Sequence, residues 1–222
     1  MEQPQVTEET VVVVLGAAHI DRSIAAHVPE DAYVIAADSG LDHARSAGIS
    51  PDVLVGDLDS ISPRGLKWAT KHIEVIAHPP DKDDTDTELA LEVAATRHPA
   101  RLIVISGGGD RLDHTLAVLG ALAHVNLTSI PTIDLWWATH AVRVVHGPGR
   151  TQLKPAVGSL LSLVALTGPC TGVTLTGTQW TLSNETLDVL DGRGVSNVVD
   201  GDVELKLMTG VVPLFHSRTE SQ

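Results

Sequence analysis

Three short acidic segments hold five carboxylates able to act together. They are Asp38 in Ala37-Asp38-Ser39-Gly40, Asp57 and Asp59 in Gly56-Asp57-Leu58-Asp59-Ser60, and Asp83 and Asp86 in Asp81-Lys82-Asp83-Asp84-Thr85-Asp86. Gathered in space, such groups repel one another unless a cation lies between them, and hard oxygen donors suit Mg²⁺ held jointly with substrate phosphates. An extended backbone through Gly56–Ser60 puts Asp57 and Asp59 on the same side. A fourth segment, Ser106-Gly107-Gly108-Gly109-Asp110-Arg111-Leu112-Asp113-His114, offers glycine backbone N–H groups and the planar fork of Arg111 to a phosphate. It lacks the Lys-Ser/Thr ending of a Walker A loop, so it is not an ordinary P-loop.

Each of the four segments follows a β-branched, apolar run that reads as a buried strand. Strands are expected near Val11–Leu15, Tyr33–Ala37, Val53–Val55, Ile73–Ala77, Leu102–Ile105 and Ile133–Trp137. Helices are expected near Asp21–His27, Leu41–Ala47, Pro63–Thr70, Asp86–Arg97 and Asp113–Val125. Thr85 and Glu88 have capping-box spacing at the start of the fourth helix. This alternation predicts a mostly parallel sheet with flanking helices, whose strands end at one shared edge.

After about Ala138 the pattern changes. Val142–Val145, Ser159–Leu166, Gly172–Thr176, Trp180–Leu182, Val203–Met208 and Val211–Phe215 read as short strands, with a turn at Gly147-Pro148-Gly149. The expected architecture is an α/β domain over residues 1–140, followed by a small all-β sandwich over residues 141–222.

The composition sets bounds on function. A chain of 222 residues with 43% hydrophobic content can build a substantial core. A formal charge of −13 argues against nucleic-acid or anionic-membrane binding, though not against holding one nucleotide. The lone Cys170 excludes an internal disulfide framework and a cysteine zinc cluster, and fits a reducing cytoplasm. Met1–Thr10 is too polar for a secretory signal, and the apolar run after it is too short to span a bilayer.

Taken singly, each segment has a plainer reading. Three glycines can simply make a tight turn, Ser60 or Asp59 can cap the next helix, and acidic residues at 81–86 suit a helix start, with Lys82 neutralising the loop. Four such segments at one sheet edge weaken those readings together.

In order, the segments resemble the thiamine pyrophosphokinase (thiamine diphosphokinase) family. Its Asp-Gly-Gly, Gly-Asp-x-Asp-Ser, Asp-x-Asp-x-Thr-Asp and Gly-Gly-x-x-Gly-Arg-x-Asp-His elements match over about residues 11–216. Two positions depart: Ser39 replaces the first glycine after Asp38, and Asp110 stands where the family often has glycine. The resemblance implies transfer of the diphosphate of ATP to the hydroxyl of thiamine, giving thiamine diphosphate and AMP. It makes Asp57, Asp59 and Asp86 the Mg²⁺ ligands and Asp38 their support. It places Lys82 and Asp83 near the transferred phosphates and the thiamine hydroxyl. For such a reaction Asp83 and Asp86 are both candidates to accept the hydroxyl proton. Nucleotide contacts fall to Ser39, Gly40, Lys82, Thr85, Gly107, Gly108, Arg111 and Asp113.

Gly177-Thr178-Gln179-Trp180-Thr181-Leu182 and Val195-Ser196-Asn197 resemble the family's thiamine-pocket elements. A lone strand tryptophan otherwise reads as core; the resemblance instead makes Trp180 a stacking face for a cationic aromatic vitamin, with Ser196 and Asn197 as hydrogen-bonding partners. Of Trp136 and Trp137, one is expected to face the core, and His114 is read as orienting its loop. The resemblance further implies a homodimer whose thiamine site is shared between the α/β domain of one subunit and the β-domain of the other. The competing readings are a diphosphokinase acting on a pterin-type alcohol and a non-catalytic nucleotide or thiamine sensor.

Overall fold

Val11 to Val14 are fully buried, so the strand they form is covered on both faces and paired on both edges. A computed structural model describes residues 7–109 and 111–217 of the chain. Asp110 therefore lies outside the described residues, as do positions 1–6 of the polar N-terminal stretch and 218–222. The chain divides into two units, Met1–Ala121 with Ser129–Ala138, and Leu122–Thr128 with Thr139–Gln222.

In the first unit the strands are β1 (Thr10–Val14), β2 (Tyr33–Ala37), β3 (Val53–Gly56), β4 (Glu74–Ala77), β5 (Arg101–Ser106) and β6 (Thr132–Trp137). They lie in the order β4-β3-β2-β1-β5-β6, and every pairing is parallel. The helices are α1 (Gly40–Ala47), α2 (Pro63–His72), α3 (Asp86–Thr96) and α4 (Leu112–Leu122). The chain winds outward from β1 to β4, then returns to the other side of β1 for β5. Strand order thus reverses between β1 and β5, and a crevice outside the carboxyl ends at such a reversal is where open α/β sheets bind ligands.

Local chemistry sets the helix starts. Thr85 caps α3 by accepting from Glu88 N at 3.2 Å, while the Glu88 carboxylate accepts from Thr85 N at 2.8 Å. Ser62, rather than Ser60 or Asp59, caps α2: its hydroxyl accepts from Gly65 N at 2.9 Å, and Pro63 takes the first helical position. Gly48, at φ 91°, ends α1 in the left-handed conformation. The segment expected as a helix at Asp21–His27 is a 3₁₀ turn, Arg22–His27, capped by the Asp21 carboxylate. The last helix stops at Leu122.

The second unit holds β7 (His140–His146), β8 (Gly149–Leu153), β9 (Leu160–Leu163), β10 (Cys170–Thr178), β11 (Leu182–Leu187), β12 (Asn197–Leu207) and β13 (Val211–Ser217). Its named pairings are antiparallel: β7-β13-β9 form one group, β8-β12-β10-β11 the other, and β12 pairs with β9 as well. Alternate residues of β12 (Val199, Val203, Leu205 and Leu207) are buried in one apolar cluster with Leu161, Leu163, Val173, Leu175, Val212 and Leu214. Several strands differ from the sequence expectation, and the strand expected at Trp180–Leu182 forms instead at Leu182–Leu187. Strand β8 follows directly on the Gly147-Pro148 turn, and β12 begins six residues before Val203 because Asp200-Gly201-Asp202, which reads as a turn, stays within the strand.

Candidate active site

The carboxyl ends of β2 and β3 and the start of α3 converge. One oxygen from each of Asp38, Asp57 and Asp86 lies within 4.8 Å of the other two. Asp38 follows β2 with φ 45° and is only 4% exposed. Its Oδ2 accepts from Ser60 N at 3.2 Å and from the Ser60 hydroxyl, whereas its buried Oδ1 has no hydrogen-bond partner among the described residues. A buried carboxylate oxygen left unpaired is costly. Asp86 sits in the first turn of α3, where the helix dipole favours its charge, and its Oδ1 accepts from Asp57 N at 3.2 Å.

Lys82 spans the cluster. Its Nζ donates to Asp57 Oδ2 at 3.0 Å and to Asp86 Oδ1 at 2.9 Å. The hydrogen bond from Lys82 holds the Asp57 carboxyl below the usual carboxylate range, against the opposing effect of burial. Asp59 takes the opposite shift: the negative charge of Asp57, then burial, then the charge of Asp38 push it up. Asp59 is exposed and its N–H donates to Asp57 Oδ1 at 3.2 Å. The extended run expected through Asp57 and Asp59 does not form, because β3 ends at Gly56 and Leu58 adopts φ 67°. Positive φ at a bulky residue stores about 1–3 kcal/mol, which the surrounding contacts must sustain. Asp83 is exposed in the loop before α3.

Ser39, the departure from the family pattern, has a compensating partner. Its hydroxyl donates to Gly16 O at 3.3 Å and lies 3.0 Å from the Ser60 hydroxyl oxygen. A side chain at position 16 would stand 2.2 Å from Ser39 Oγ, so Gly16 supplies the room that Ser39 takes. Gly40 is under stricter constraint: a Cβ there would meet Val14 O at 2.1 Å. Gly107 is equally confined, with His19 O at 2.1 Å from a Cβ.

A cavity of about 380 Å³ opens along this edge. Asp38, Ser39, Ser60, Thr85 and Asp86 line it together with Gly16 and Ala17, while Gly108, Gly109, Arg111, His114 and Trp137 also border it. The walls thus come from both sides of the strand-order reversal. Arg111 and Asp113 are exposed and joined by two hydrogen bonds, Nε to Oδ1 at 3.2 Å and an η nitrogen to Oδ2 at 2.5 Å. The Arg111 hydrogen bond draws the Asp113 carboxyl down to about 2. A group depressed in this way stays ionised as the pH falls through the ordinary aspartate range, and the pair is lost only as pH passes about 2. Carboxyl-carbon NMR titration is expected to place the Asp113 midpoint there, and to return it to about 4 in R111Q.

Ser60 as a partner of Asp38, the Gly16-Ala17 turn and the lining role of Trp137 were not singled out from sequence. A glycine directly after the first strand run was the available signal for the turn. Trp136 is buried, as expected for one of the pair.

In the second unit, Trp180 is 61% exposed, which rules out the core reading. It lies in a bend, and β11 starts only at Leu182. The Asn197 side chain is buried and tied to that bend, accepting from Trp180 N at 3.1 Å and donating to Trp180 O at 2.6 Å. Ser196, at φ 62°, is exposed and donates its N–H to Ser162 Oγ at 3.0 Å. Asn197 therefore fixes the backbone that presents Trp180.

Comparison with known proteins agrees with this architecture. Residues 25–133 match the family model of the thiamin pyrophosphokinase catalytic domain, and residues 145–212 match that of the thiamin pyrophosphokinase vitamin B1 binding domain. Thiamine pyrophosphokinase 1 of Oryza sativa subsp. japonica is 22% identical over 157 residues, which span 68% of this chain and 60% of the rice protein. The crystal structure of thiamine pyrophosphokinase from Bacillus subtilis has a TM-score of 0.81 at 22% identity, covering 94% of this chain and 99% of that one. That of thiamin pyrophosphokinase from Candida albicans has a TM-score of 0.78 at 14% identity, covering 94% and 90%. The two family models together account for most of the sequence, and the chain belongs to the thiamin pyrophosphokinase family.

Proposed function

We propose that the protein is a thiamine diphosphokinase, which transfers the β,γ-diphosphoryl group of ATP to the thiamine hydroxyl and releases AMP. The observation that carries this reading is the meeting of Asp38, Asp57 and Asp86 at the edge of a cleft also bordered by the glycine turn after β5. In this reading the first unit is the catalytic domain and the second a β-sandwich that binds thiamine.

An all-oxygen donor set and the unpartnered Asp38 Oδ1 fit a hard divalent cation. Asp38, Asp57 and Asp86 would hold Mg²⁺, with Asp59 the exposed fourth carboxylate beside them. Bound there, the ion would neutralise charge on the transferred phosphates. The residues of the chain do the rest. Backbone N–H groups at Ser39, Gly40, Gly107 and Gly108 and the side chains of Lys82, Thr85, Arg111 and Asp113 position the nucleotide. A new bond forms between the thiamine oxygen and the β-phosphorus as the bond from the bridging oxygen to that phosphorus breaks, leaving AMP. The hydroxyl proton passes to a carboxylate of the 81–86 loop. Asp86 would be occupied as a ligand of the ion, which favours Asp83. Positioning and electrostatics of this kind supply most of the catalysis in phosphoryl transfer.

Trp180 would stack on the vitamin while Ser196 and Asn197 hold the surrounding loop. The protein would act as a homodimer in the cytoplasm; no helix among the described residues is long and apolar enough to cross a membrane. The deciding assay incubates the purified chain with Mg-ATP, with and without thiamine, and quantifies AMP and thiamine diphosphate in the same samples. Matched, thiamine-dependent formation of both is expected, from a species sedimenting as a dimer. Thiamine diphosphate absent while a pterin alcohol yields AMP would move the assignment to another acceptor; binding without turnover would make the chain a sensor.

A further inference from the structure

Lys82 is placed to do more than touch a phosphate. Its ammonium lies between two of the three clustered carboxylates, 3.0 Å from Asp57 and 2.9 Å from Asp86, and its side chain is only 12% exposed. Burial works against a charged ammonium here, and the two short ion pairs offset that cost. The third carboxylate keeps a buried oxygen, Asp38 Oδ1, that the lysine does not satisfy. One positive charge thus pairs with two of three clustered carboxylates and leaves the third without it. A compact ammonium on a flexible stem can also swing away without disturbing the backbone.

We propose that Lys82 is the resident counter-ion of the Asp38–Asp57–Asp86 cluster, and that a divalent cation binds by displacing its ammonium toward the nucleotide phosphates. This rests on the reading of the cluster as a metal site. Lys82 is paired with two of the three carboxylates that would hold the ion, so a divalent cation bound there would stand close to the ammonium, and like charges at that range repel strongly in a partly buried site. Metal binding to the chain alone therefore has to break two ion pairs. When nucleotide is present, the displaced ammonium finds an anionic partner, so each ligand helps the other bind.

The test is Mn²⁺ binding to the full chain without nucleotide, read by the paramagnetic resonance signal of free Mn²⁺. Lys82→Met is expected to bind one ion about tenfold more tightly than wild type, which corresponds to about 1.4 kcal/mol. Lys82→Arg, which keeps the charge, should stay within about threefold of wild type. Equal affinity in wild type and Lys82→Met, or the same tenfold gain in Lys82→Arg, overturns the displacement while leaving the metal site in place. Failure of wild type and both variants to bind Mn²⁺ removes the metal site itself. A second measurement needs no variant. The ¹⁵N resonance of the Lys82 ammonium in the wild-type chain should be protected from exchange before Mg²⁺ is added and lose that protection when Mg²⁺ binds. A signal unchanged at saturating Mg²⁺ overturns the proposal.

Discussion

Asp57→Asn is expected to lower the rate of thiamine diphosphate formation by about 10²–10³-fold while leaving the fold intact. The substitution keeps the shape of the side chain and an oxygen that can accept from Asp59 N–H, the contact now made at 3.2 Å. It removes the charge from one of the two cluster carboxylates that pair with Lys82. On the stability side, Lys82 retains Asp86 at 2.9 Å, and loss of one partly buried ion pair costs about 1 kcal/mol. For a chain of this size that is a Tm shift of about 2–4 °C. Steady-state assay and thermal melting on the same preparation separate the two effects. Near-normal turnover in Asp57→Asn would remove Asp57 from the catalytic machinery; a collapse of Tm would make its role structural.

Gly40→Ala is expected to act the other way, through stability before chemistry. The new Cβ would meet Val14 O at 2.1 Å and Val14 C at 2.9 Å, both backbone atoms of the buried central strand with no side-chain freedom to retreat. Relief requires α1 to lift from β1, and forced overpacking of that kind costs about 3 kcal/mol. Activity should fall with it, since α1 follows Asp38 and Ser39 directly. Gly120→Ala provides the control: it lies in α4 with nothing within 4 Å of the added methyl, and helix propensity predicts a gain of about 0.5–1 kcal/mol. Denaturant melts of the two variants should move in opposite directions. A Gly40→Ala protein as stable as wild type would mean that α1 does not approach β1 so closely.

Much of the first unit was legible because its signals are redundant. The Val11–Val14 run, the capping pair Thr85 and Glu88, and the glycines at strand ends each point to the same parallel sheet. The gathering of Asp38, Asp57 and Asp86 followed from that sheet, since parallel strands share an edge. What could not be read was backbone direction beyond the strand ends. The pairing of Asp57 with Asp59 assumed an extended chain, whereas Leu58 turns to φ 67° and leaves Asp59 exposed; no side-chain pattern signals that turn. Asp38 was read as supporting the ligands, and its buried, unpartnered oxygen is visible only once Ser60 folds back over it. The second unit was harder for another reason: Asp200-Gly201-Asp202 carries turn chemistry inside a long strand, where pairing with neighbours overrides local preference.

The interleaving of the two units sets how the protein can be taken apart. Residues 122–128 belong with the later unit although they precede β6, the last strand of the earlier one. No single cut therefore yields two complete pieces. A fragment ending at residue 138 carries the 122–128 segment without His146, whose Nε2 donates to Leu122 O at 2.9 Å; one starting at 139 lacks that segment altogether. A ribosome meets the same constraint, because it makes part of the second unit before it has finished the first. Domain exchange between relatives is expected to succeed only when residues 122–128 travel with the strands that follow residue 139, which makes the swap a two-junction graft rather than a simple splice.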